Sequence, residues 1–210
     1  MKIFDISMPV DDNIVVWEDD FKPEIKRYSK IEAGDLSNTS FIRMDLHTGT
    51  HIDFPYHFLE DGKKSHDYTI DHFIMDVLVV EIKKDIINNK VLKQIKIPET
   101  VEGILFKTKN NILYKLSNFS NHYTCLDSSG ANYLIDKHLK LVGIDYLSIE
   151  KQGNSEFPVH KALLSHNILI LEGLYLENIK EGIYRLYAIP MKINNVEALP
   201  ARAFLIEEDR

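Results

Sequence analysis

The sequence contains one cysteine and no excess of positive charge. Cys125 cannot form a disulfide bond within the chain, so nothing indicates an oxidising compartment, and we expect a buried small side chain there. The 25 lysines and arginines are scattered and are outnumbered by 32 aspartates and glutamates. This balance argues against a nucleic-acid partner, because phosphate binding needs clustered basic side chains.

Long hydrophobic runs are also missing. No apolar stretch approaches the roughly 20 residues that a membrane helix needs, and the opening MKIFDISMPV is too short and too polar for a signal peptide. We therefore expect a cytoplasmic protein with no membrane partner. The 210 residues are 44% hydrophobic, which is enough for one core, and we expect residues 1–210 to form a single domain.

Short β-branched segments alternate with helical segments through most of the chain. This alternation predicts an α/β fold with a mixed central sheet. Alternating apolar and polar positions in KIFDISMPV and SFIRMDLHTG predict an N-terminal antiparallel β region. The lysine- and asparagine-rich residues 83–122 are interpreted as a solvated surface. The predicted strands are residues 77–82, 103–108, 140–145 and 167–174, and the predicted helices are residues 128–139 and 157–166.

The segment LHTGTHIDFPYHF, residues 46–58, concentrates polar side chains that bind metals. His47, His51, Asp53 and His57 all occupy odd positions, so an extended segment would place them on one face. A straight strand would separate the first and last histidines by roughly 33 Å, beyond the reach of one ion. The chain must therefore bend.

Gly49 and Pro55 are the residues at which this segment can bend. Glycine tolerates the backbone angles of a tight corner, and proline ends strand pairing. Single histidines are most often ordinary core or surface residues, and we interpret His66 and His72 as surface residues. Three imidazoles and a carboxylate converging on one corner would be costly to bury without a cation, which favours a metal site.

A second segment, FPVHKALLSHNILILEGL, is the best candidate for further ligands. It places His160 in the first turn of a predicted helix. It places Glu172 at the end of an apolar strand, where α/β proteins position chemically active groups. For Glu172, an ordinary surface carboxylate at a strand end remains the alternative.

The pattern H-x-G-T-H-x-D-x-P-x-H, met by residues 47–57, resembles the metal-dependent cyclase family, which includes bacterial kynurenine formamidase and isatin hydrolase. The similarity continues through nearly the whole chain, in DIS-P, GIDYLSIE, FPVHKALL, LEGLYLENI and LPARAFLI. The resemblance implies an α/β fold of the swivelling β/β/α type and a homodimer or higher homo-oligomer. It also implies a hydrolase with one or two divalent ions, usually Zn²⁺ and sometimes Mn²⁺.

The resemblance also implies a role for each residue of the two segments. It assigns His57 as the catalytic histidine and Asp53 as the carboxylate that bridges two ions, if two are present. Bound Zn²⁺ lowers the pKa of its water to about 7, which suits a chain without a G-x-S-x-G nucleophile motif. An unligated histidine can then transfer the proton that a departing amine needs. The implied metal ligands are His47, His51, Asp53, His160 and Glu172.

The leading hypothesis is a metal-dependent hydrolase that opens the amide bond of a small molecule, an arylformamide such as N-formylkynurenine. The products would be kynurenine and formate, a step of tryptophan catabolism. Trp17 is a candidate to stack on the aniline ring, with plain core or interface packing as the alternative. Three other functions stay open. They are a lactam hydrolase of isatin type, an Fe(II) oxygenase with a His51, Asp53 and His160 triad, and a non-catalytic metal-binding protein.

Overall fold

The computed structural model describes residues 1–116 and 118–207. The strands of this part of the chain are β1 (Lys2–Asp5), β2 (Glu24–Ser29), β3 (Thr39–Arg43), β4 (His51–Asp53), β5 (Ile74–Glu81), β6 (Ile86–Ile87), β7 (Gly103–Lys107), β8 (Cys125–Leu126), β9 (Leu141–Ile144), β10 (Leu169–Glu172), β11 (Gly182–Pro190) and β12 (Ala198–Glu207). The α-helices are α1 (Asn89–Leu92), α2 (Ser128–Ile135) and α3 (Pro158–Ser165). Five 3-10 turns connect them, at Ile31–Ala33, Pro55–His57, Ser65–Asp67, Ile70–Phe73 and Lys109–Lys115.

The central sheet closes on itself. Its strand order is β1-β12-β11-β5-β7-β9-β10-β4, and β4 also pairs with β12, so seven strands form a ring to which β1 is added. The strands β5, β7, β9 and β10 are mutually parallel, whereas β4, β11 and β12 pair in antiparallel fashion. The sheet is therefore mixed, as predicted.

The parallel strands β7, β9 and β10 are buried on both faces, which explains their continuous apolar sequences, whereas β5 alternates between buried and partly exposed positions. Within β7, the side chain of Leu105 packs into one core cluster, whereas its neighbours Ile104 and Phe106 pack into the other. The first cluster lies among the strands of the closed sheet. The second lies between the sheet and the helices, where Leu134 of α2 and Leu163 of α3 are fully buried.

The four predicted strands are confirmed as β5, β7, β9 and β10, and the two predicted helices as α2 and α3. Pro158 begins α3, as expected for the first helical turn. The antiparallel N-terminal region is confirmed for β2 and β3, which pair only with each other. The KIFD segment forms the antiparallel strand β1, as predicted, and its partner is β12 of the main sheet, near the end of the chain.

The interpretation of residues 83–122 as a solvated surface is wrong for two asparagines. Asn110 and Asn111 are buried, and their amides donate hydrogen bonds to the carbonyl of Thr124 and to the carboxylate of Asp145. Burial raises the pKa of Asp145 to about 7, against the opposing effect of the hydrogen bonds from Thr108. In the described part of the chain, no helix is long and apolar enough to cross a membrane.

Candidate metal centre

The histidine-rich segment bends at the two residues that the sequence indicates. Gly49 has a left-handed backbone with φ of +69°, and Pro55 begins a 3-10 turn that ends at His57. Between these corners runs the three-residue strand β4, which is entirely buried and lies between β10 and β12. The register places His51 directly opposite Glu172. Strand pairing thus brings the two candidate segments together.

A close approach of two glycines fixes this register. Gly173 follows Glu172 with φ of +67°, and a β-carbon added there would overlap the carbonyl oxygen of Gly49 and lie 2.5 Å from its carbonyl carbon. The hydroxyl of Thr50 donates to the Gly173 carbonyl oxygen at 2.5 Å. The backbones that carry His51 and Glu172 are therefore in direct contact, which only glycine permits.

The first group of donors is His47, His51 and Asp53. The Nδ1 atom of His47 lies 3.0 Å from Asp53 Oδ1, and the Nε2 atom of His51 lies 3.4 Å from the same oxygen. The Nδ1 atom of His51 is 2.9 Å from the Gly49 carbonyl oxygen, to which it donates a hydrogen bond. That bond leaves the lone pair of His51 Nε2 directed at the carboxylates, as in histidine ligands of metal ions.

The second group is Asp53, His160 and Glu172, all buried. His160 Nε2 lies 3.4 Å from one oxygen of Glu172, and His51 Nε2 lies 3.4 Å from the other. In each group the potential ligand atoms lie within 4.8 Å of one another, and Asp53 belongs to both groups. The structure thus brings together all five residues for which the sequence predicts a metal-binding role.

Unpaired polar atoms show that these side chains fit a cation. His51 Nε2 and both carboxylate oxygens of Asp53 are buried and make no hydrogen bond of good geometry among the described residues, although His47 Nδ1 lies 3.0 Å from Asp53 Oδ1. Leaving such atoms unpaired is costly unless something else binds them. Two ligands at about 2.05 Å in a tetrahedral zinc site lie about 3.3 Å apart, close to the separations of 3.4 Å seen here.

The protein groups shift one another's pKa values strongly. Burial disfavours the charged form of His47, yet the adjacent Asp53 overcomes this and raises the pKa of His47 to about 9. Burial likewise opposes charge on His160, but Glu150 and Glu172 raise its pKa to about 10. The pKa of Asp53 is lowered, because His47 and His57 outweigh the effect of burial. Carboxylates and protonated imidazoles therefore compensate one another's charge, and a bound cation would take the place of the imidazole protons.

His57 lies beside the donor groups and belongs to neither. Its ring centroid is 4.2 Å from that of His47 and 6.2 Å from that of His160. Burial lowers the pKa of His57 to about 4, which outweighs the opposing charge of Asp53. A neutral imidazole next to the centre can accept a proton and return it.

A cavity of about 590 Å³ opens onto the centre. Its walls include His47, His57, His160 and Glu172, and also Trp17. The indole of Trp17 packs on Phe119, with ring centroids 4.6 Å apart. Trp17 therefore lines the cavity, as the stacking hypothesis requires, and also packs against Phe119. His66 and His72 lie on the surface, as expected.

Comparison with known proteins places the chain in a family. Residues 4–151 match the Cyclase family model. Kynurenine formamidase from Bacillus cereus is 32% identical over 204 residues, which are 96% of this chain and 95% of the relative. The Bacillus anthracis kynurenine formamidase is 32% identical over 207 residues, 97% of each chain. The chain belongs to the metal-dependent cyclase family.

Solved structures agree with this membership. A potential metal-dependent hydrolase with cyclase activity superimposes with a TM-score of 0.84 at 32% identity, over 97% of this chain and 96% of the other. An isatin hydrolase bound to thioisatinate gives a TM-score of 0.84 at 18% identity, over 99% and 93% of the two chains, which shows a shared fold. The family and fold predicted from the histidine motif are both confirmed.

One residue of this cyclase-family site was missed by the sequence analysis. Glu150 is buried, and its carboxylate lies 2.7 Å from His160 Nδ1. The same carboxylate accepts hydrogen bonds from the backbone amides of Val159 and His160, at 3.1 Å each, and so caps α3. Glu150 ends the GIDYLSIE segment, but nothing in that pattern marks its side chain as buried beside a histidine. Its contacts fix the orientation of the His160 ring.

Proposed function

We propose that this protein is a metal-dependent hydrolase of carbon–nitrogen bonds other than peptide bonds, and that it hydrolyses N-formylkynurenine to kynurenine and formate. The observation that carries the proposal is the convergence of two donor groups on Asp53, three of whose other members, His47, His160 and Glu172, line a cavity. Kynurenine formamidases that match 96–97% of the chain at 32% identity support the choice of an arylformamide.

We propose Zn²⁺ as the ion, held by His47, His51, Asp53, His160 and Glu172. Neutral imidazole nitrogen and carboxylate oxygen are ordinary zinc ligands, whereas Mg²⁺ is held by oxygen ligands alone. The two donor groups that share Asp53 support two ions per subunit, with Asp53 between them. Mn²⁺ is the alternative ion. A bound ion would supply a Lewis acid and a water of lowered pKa.

The protein's own groups would orient the substrate and move protons. Hydrolysis adds the oxygen of a water molecule to the formyl carbon and breaks the carbon–nitrogen bond, while a proton taken from that water passes to the aniline nitrogen as it leaves. We assign this proton transfer to His57, which is neutral at pH 7, since its pKa is lowered to about 4, and lines the cavity. We assign the positioning of the aromatic ring to Trp17 on the cavity wall.

The geometry does not favour an Fe(II) oxygenase. A triad of His51, Asp53 and His160 would leave the equally close donors His47 and Glu172 without a role. Oxygenases of this type keep open positions around iron for their cosubstrates.

Three further proposals concern the whole protein. We propose that residues 1–210 act as one cyclase-type domain, which the pairing of β1 with β12 supports. We propose a homodimer or higher homo-oligomer as the working state. We also propose a cytoplasmic location, which the single buried cysteine supports.

A turnover assay tests the proposed function. Purified protein, stripped with a chelator and reloaded with Zn²⁺, is given N-formylkynurenine with and without oxygen. We expect kynurenine and formate in equal amounts, equal rates in both atmospheres, and no reaction before reloading. Absence of arylformamide turnover in the zinc-loaded protein would contradict the proposal, and a strict need for oxygen would favour the oxygenase.

A further inference from the structure

Phe157 has a backbone conformation that phenylalanine rarely adopts. Its φ of +47° and ψ of +52° lie in the left-handed region, which suits glycine or asparagine better than a bulky side chain. Pro158 follows, and the residue before a proline is normally extended. Phe157 is also the N-cap of α3, where serine, threonine, aspartate and asparagine are preferred, and its side chain cannot make the capping hydrogen bond. The local structure therefore disfavours phenylalanine at this position.

Neither capping nor core packing explains the phenylalanine. The N-terminus of α3 is capped by Glu150, whose carboxylate accepts hydrogen bonds from the backbone amides of Val159 and His160. None of the hydrophobic core clusters of the described chain includes Phe157, and 38% of the residue is exposed. Unfavourable backbone angles of this kind cluster at binding and active sites, where a function of the side chain offsets the strain. We therefore expect the ring of Phe157 to serve the site and not the stability of the fold.

The ring of Phe157 lies in the cavity wall, close to the groups assigned to the reaction. Phe157 and Phe58 both line the cavity, and their ring centroids are 4.8 Å apart. The ring of Phe58 lies 4.1 Å from that of His57 and 4.8 Å from that of His160. The ring of Phe157 is 6.3 Å from that of His160. The two phenylalanines therefore form an aromatic surface beside both the proposed proton-transfer histidine and a proposed metal ligand.

We propose that Phe157 is a specificity-determining residue, whose ring contacts an aryl group on the scissile nitrogen and so selects N-aryl amides over N-alkyl amides. In an N-aryl amide the ring is bonded directly to the nitrogen that His57 would protonate. That ring must lie beside His57, where the two phenylalanines are. Two flat rings in offset or edge contact gain more than burial alone provides, and a puckered saturated ring lacks this gain. The inference rests on the proposed formamide hydrolysis and names the part of the substrate that the cavity recognises.

Substitution of Phe157 should separate the stability of the protein from its selectivity. The test variant Phe157→Asn supplies a residue that suits both the left-handed backbone and the N-cap, but it has no ring. We expect it to unfold at the wild-type temperature or higher. The matched control Phe41→Asn removes a ring of similar exposure, 42%, from β3, whose residues are not part of the described cavity wall. Asparagine is depleted in strands, so the control should unfold at a lower temperature.

Turnover and binding together measure the selectivity. For the zinc-loaded protein, kcat and KM are determined with formanilide and N-cyclohexylformamide, which share a formyl group and a six-membered ring on nitrogen. Binding of acetanilide and of N-cyclohexylacetamide is followed by the fluorescence of Trp17, the only tryptophan of the chain, which lines the same cavity. Because intrinsic differences between the compounds cancel when variants are compared, the change in the affinity ratio reports the contribution of the Phe157 ring.

We expect the ratio of acetanilide affinity to N-cyclohexylacetamide affinity to fall about three- to tenfold in Phe157→Asn, in line with the usual gain of an aromatic pair. The KM for formanilide should rise by at least about threefold, with kcat within about twofold of wild type, because the ring binds the substrate and moves no proton. The variant Phe157→Tyr keeps an aromatic ring and should keep the wild-type ratio, as should Phe41→Asn.

An unchanged affinity ratio in Phe157→Asn would overturn the proposal, and so would wild-type protein that binds the two acetamides equally. A Phe157→Asn variant destabilised as much as Phe41→Asn would also contradict it, because the ring would then serve the fold. Failure of the proposed function has a different signature. Zinc-loaded wild-type protein would then hydrolyse neither formamide, and binding of acetanilide that still depends on Phe157 would support the aromatic recognition.

Discussion

The contact between Gly173 and Gly49 predicts that a single methyl group will disrupt the metal centre. In the variant Gly173→Ala, the added β-carbon would overlap the Gly49 carbonyl oxygen and lie 2.9 Å from Thr50 N. Both neighbours are backbone atoms in the segment that leads into β4, so no side chain can rotate away. Gly49 and Gly173 must separate, and Glu172 must move away from His51.

The size of the effect follows from two contributions. The left-handed backbone, with φ of +67°, costs a residue with a β-carbon about 1–2 kcal/mol. Forced separation of packed backbone adds about 1–3 kcal/mol, the usual range for overpacking in a core. We expect unfolding to require about 4 kcal/mol less free energy, which lowers the melting temperature by about 10 °C in a chain of this length.

The matched control is Gly153→Ala. Gly153 also has a left-handed backbone, with φ of +101°, but a β-carbon there meets no atom within 4 Å. This variant should lose only the backbone contribution, about 1–2 kcal/mol, and should bind metal normally. Denaturant unfolding and metal analysis of both variants measure the difference. Equal destabilisation of the two, or full metal content in Gly173→Ala, would refute the reasoning.

Three further predictions address single side chains. The variant Glu150→Gln should bind Zn²⁺ about 10–100-fold more weakly, because it loses the charged partner of His160. The control variant Glu156→Gln, at an exposed position, should bind Zn²⁺ normally. Competition with a chelator measures both affinities. Burial raises the pKa of Asp145 to about 7, whereas its value in the unfolded chain is 3.8. The protonated carboxyl group therefore stabilises the folded protein fully below about pH 4, and this stabilisation is lost as the pH rises through 7. The unfolding free energy of wild type minus that of Asp145→Asn should therefore fall by a few kcal/mol between pH 4 and 8, and a flat difference would contradict the assignment. The variant Trp17→Ala should raise KM for an arylformamide about tenfold while Trp17→Phe stays near wild type, and equal KM values would show that Trp17 only packs against the protein.

The sequence predicted the elements whose signals are local. The parallel strands β7, β9 and β10 are buried on both faces, so their apolar sequences are continuous, and β5 has an apolar sequence with one face buried. Gly49 and Pro55 marked the corners of the histidine segment, because their backbone preferences do not depend on neighbours.

Other features depend on contacts between distant parts of the chain, and these the sequence did not predict. The strands β11 and β12 were not recognised, so the pairing of β1 with β12 about 200 residues later was not predicted. Asn110 and Asn111 lie in a polar sequence but are buried, because Asp145 and Thr124 provide their partners. The contact between Glu150 and His160 was also missed, because the two side chains meet only in the folded chain.

The central claim is that one histidine moves protons while its neighbours hold the ion. Metal per subunit and kcat measured together for His57→Ala and His51→Ala test it most directly. We expect His57→Ala to keep its metal and to lose about 10²–10⁴-fold in kcat. We expect His51→Ala to lose both, because it removes a buried donor directed at two carboxylates. A His57→Ala variant that is as empty of metal as His51→Ala, or one with unchanged kcat, would contradict the account.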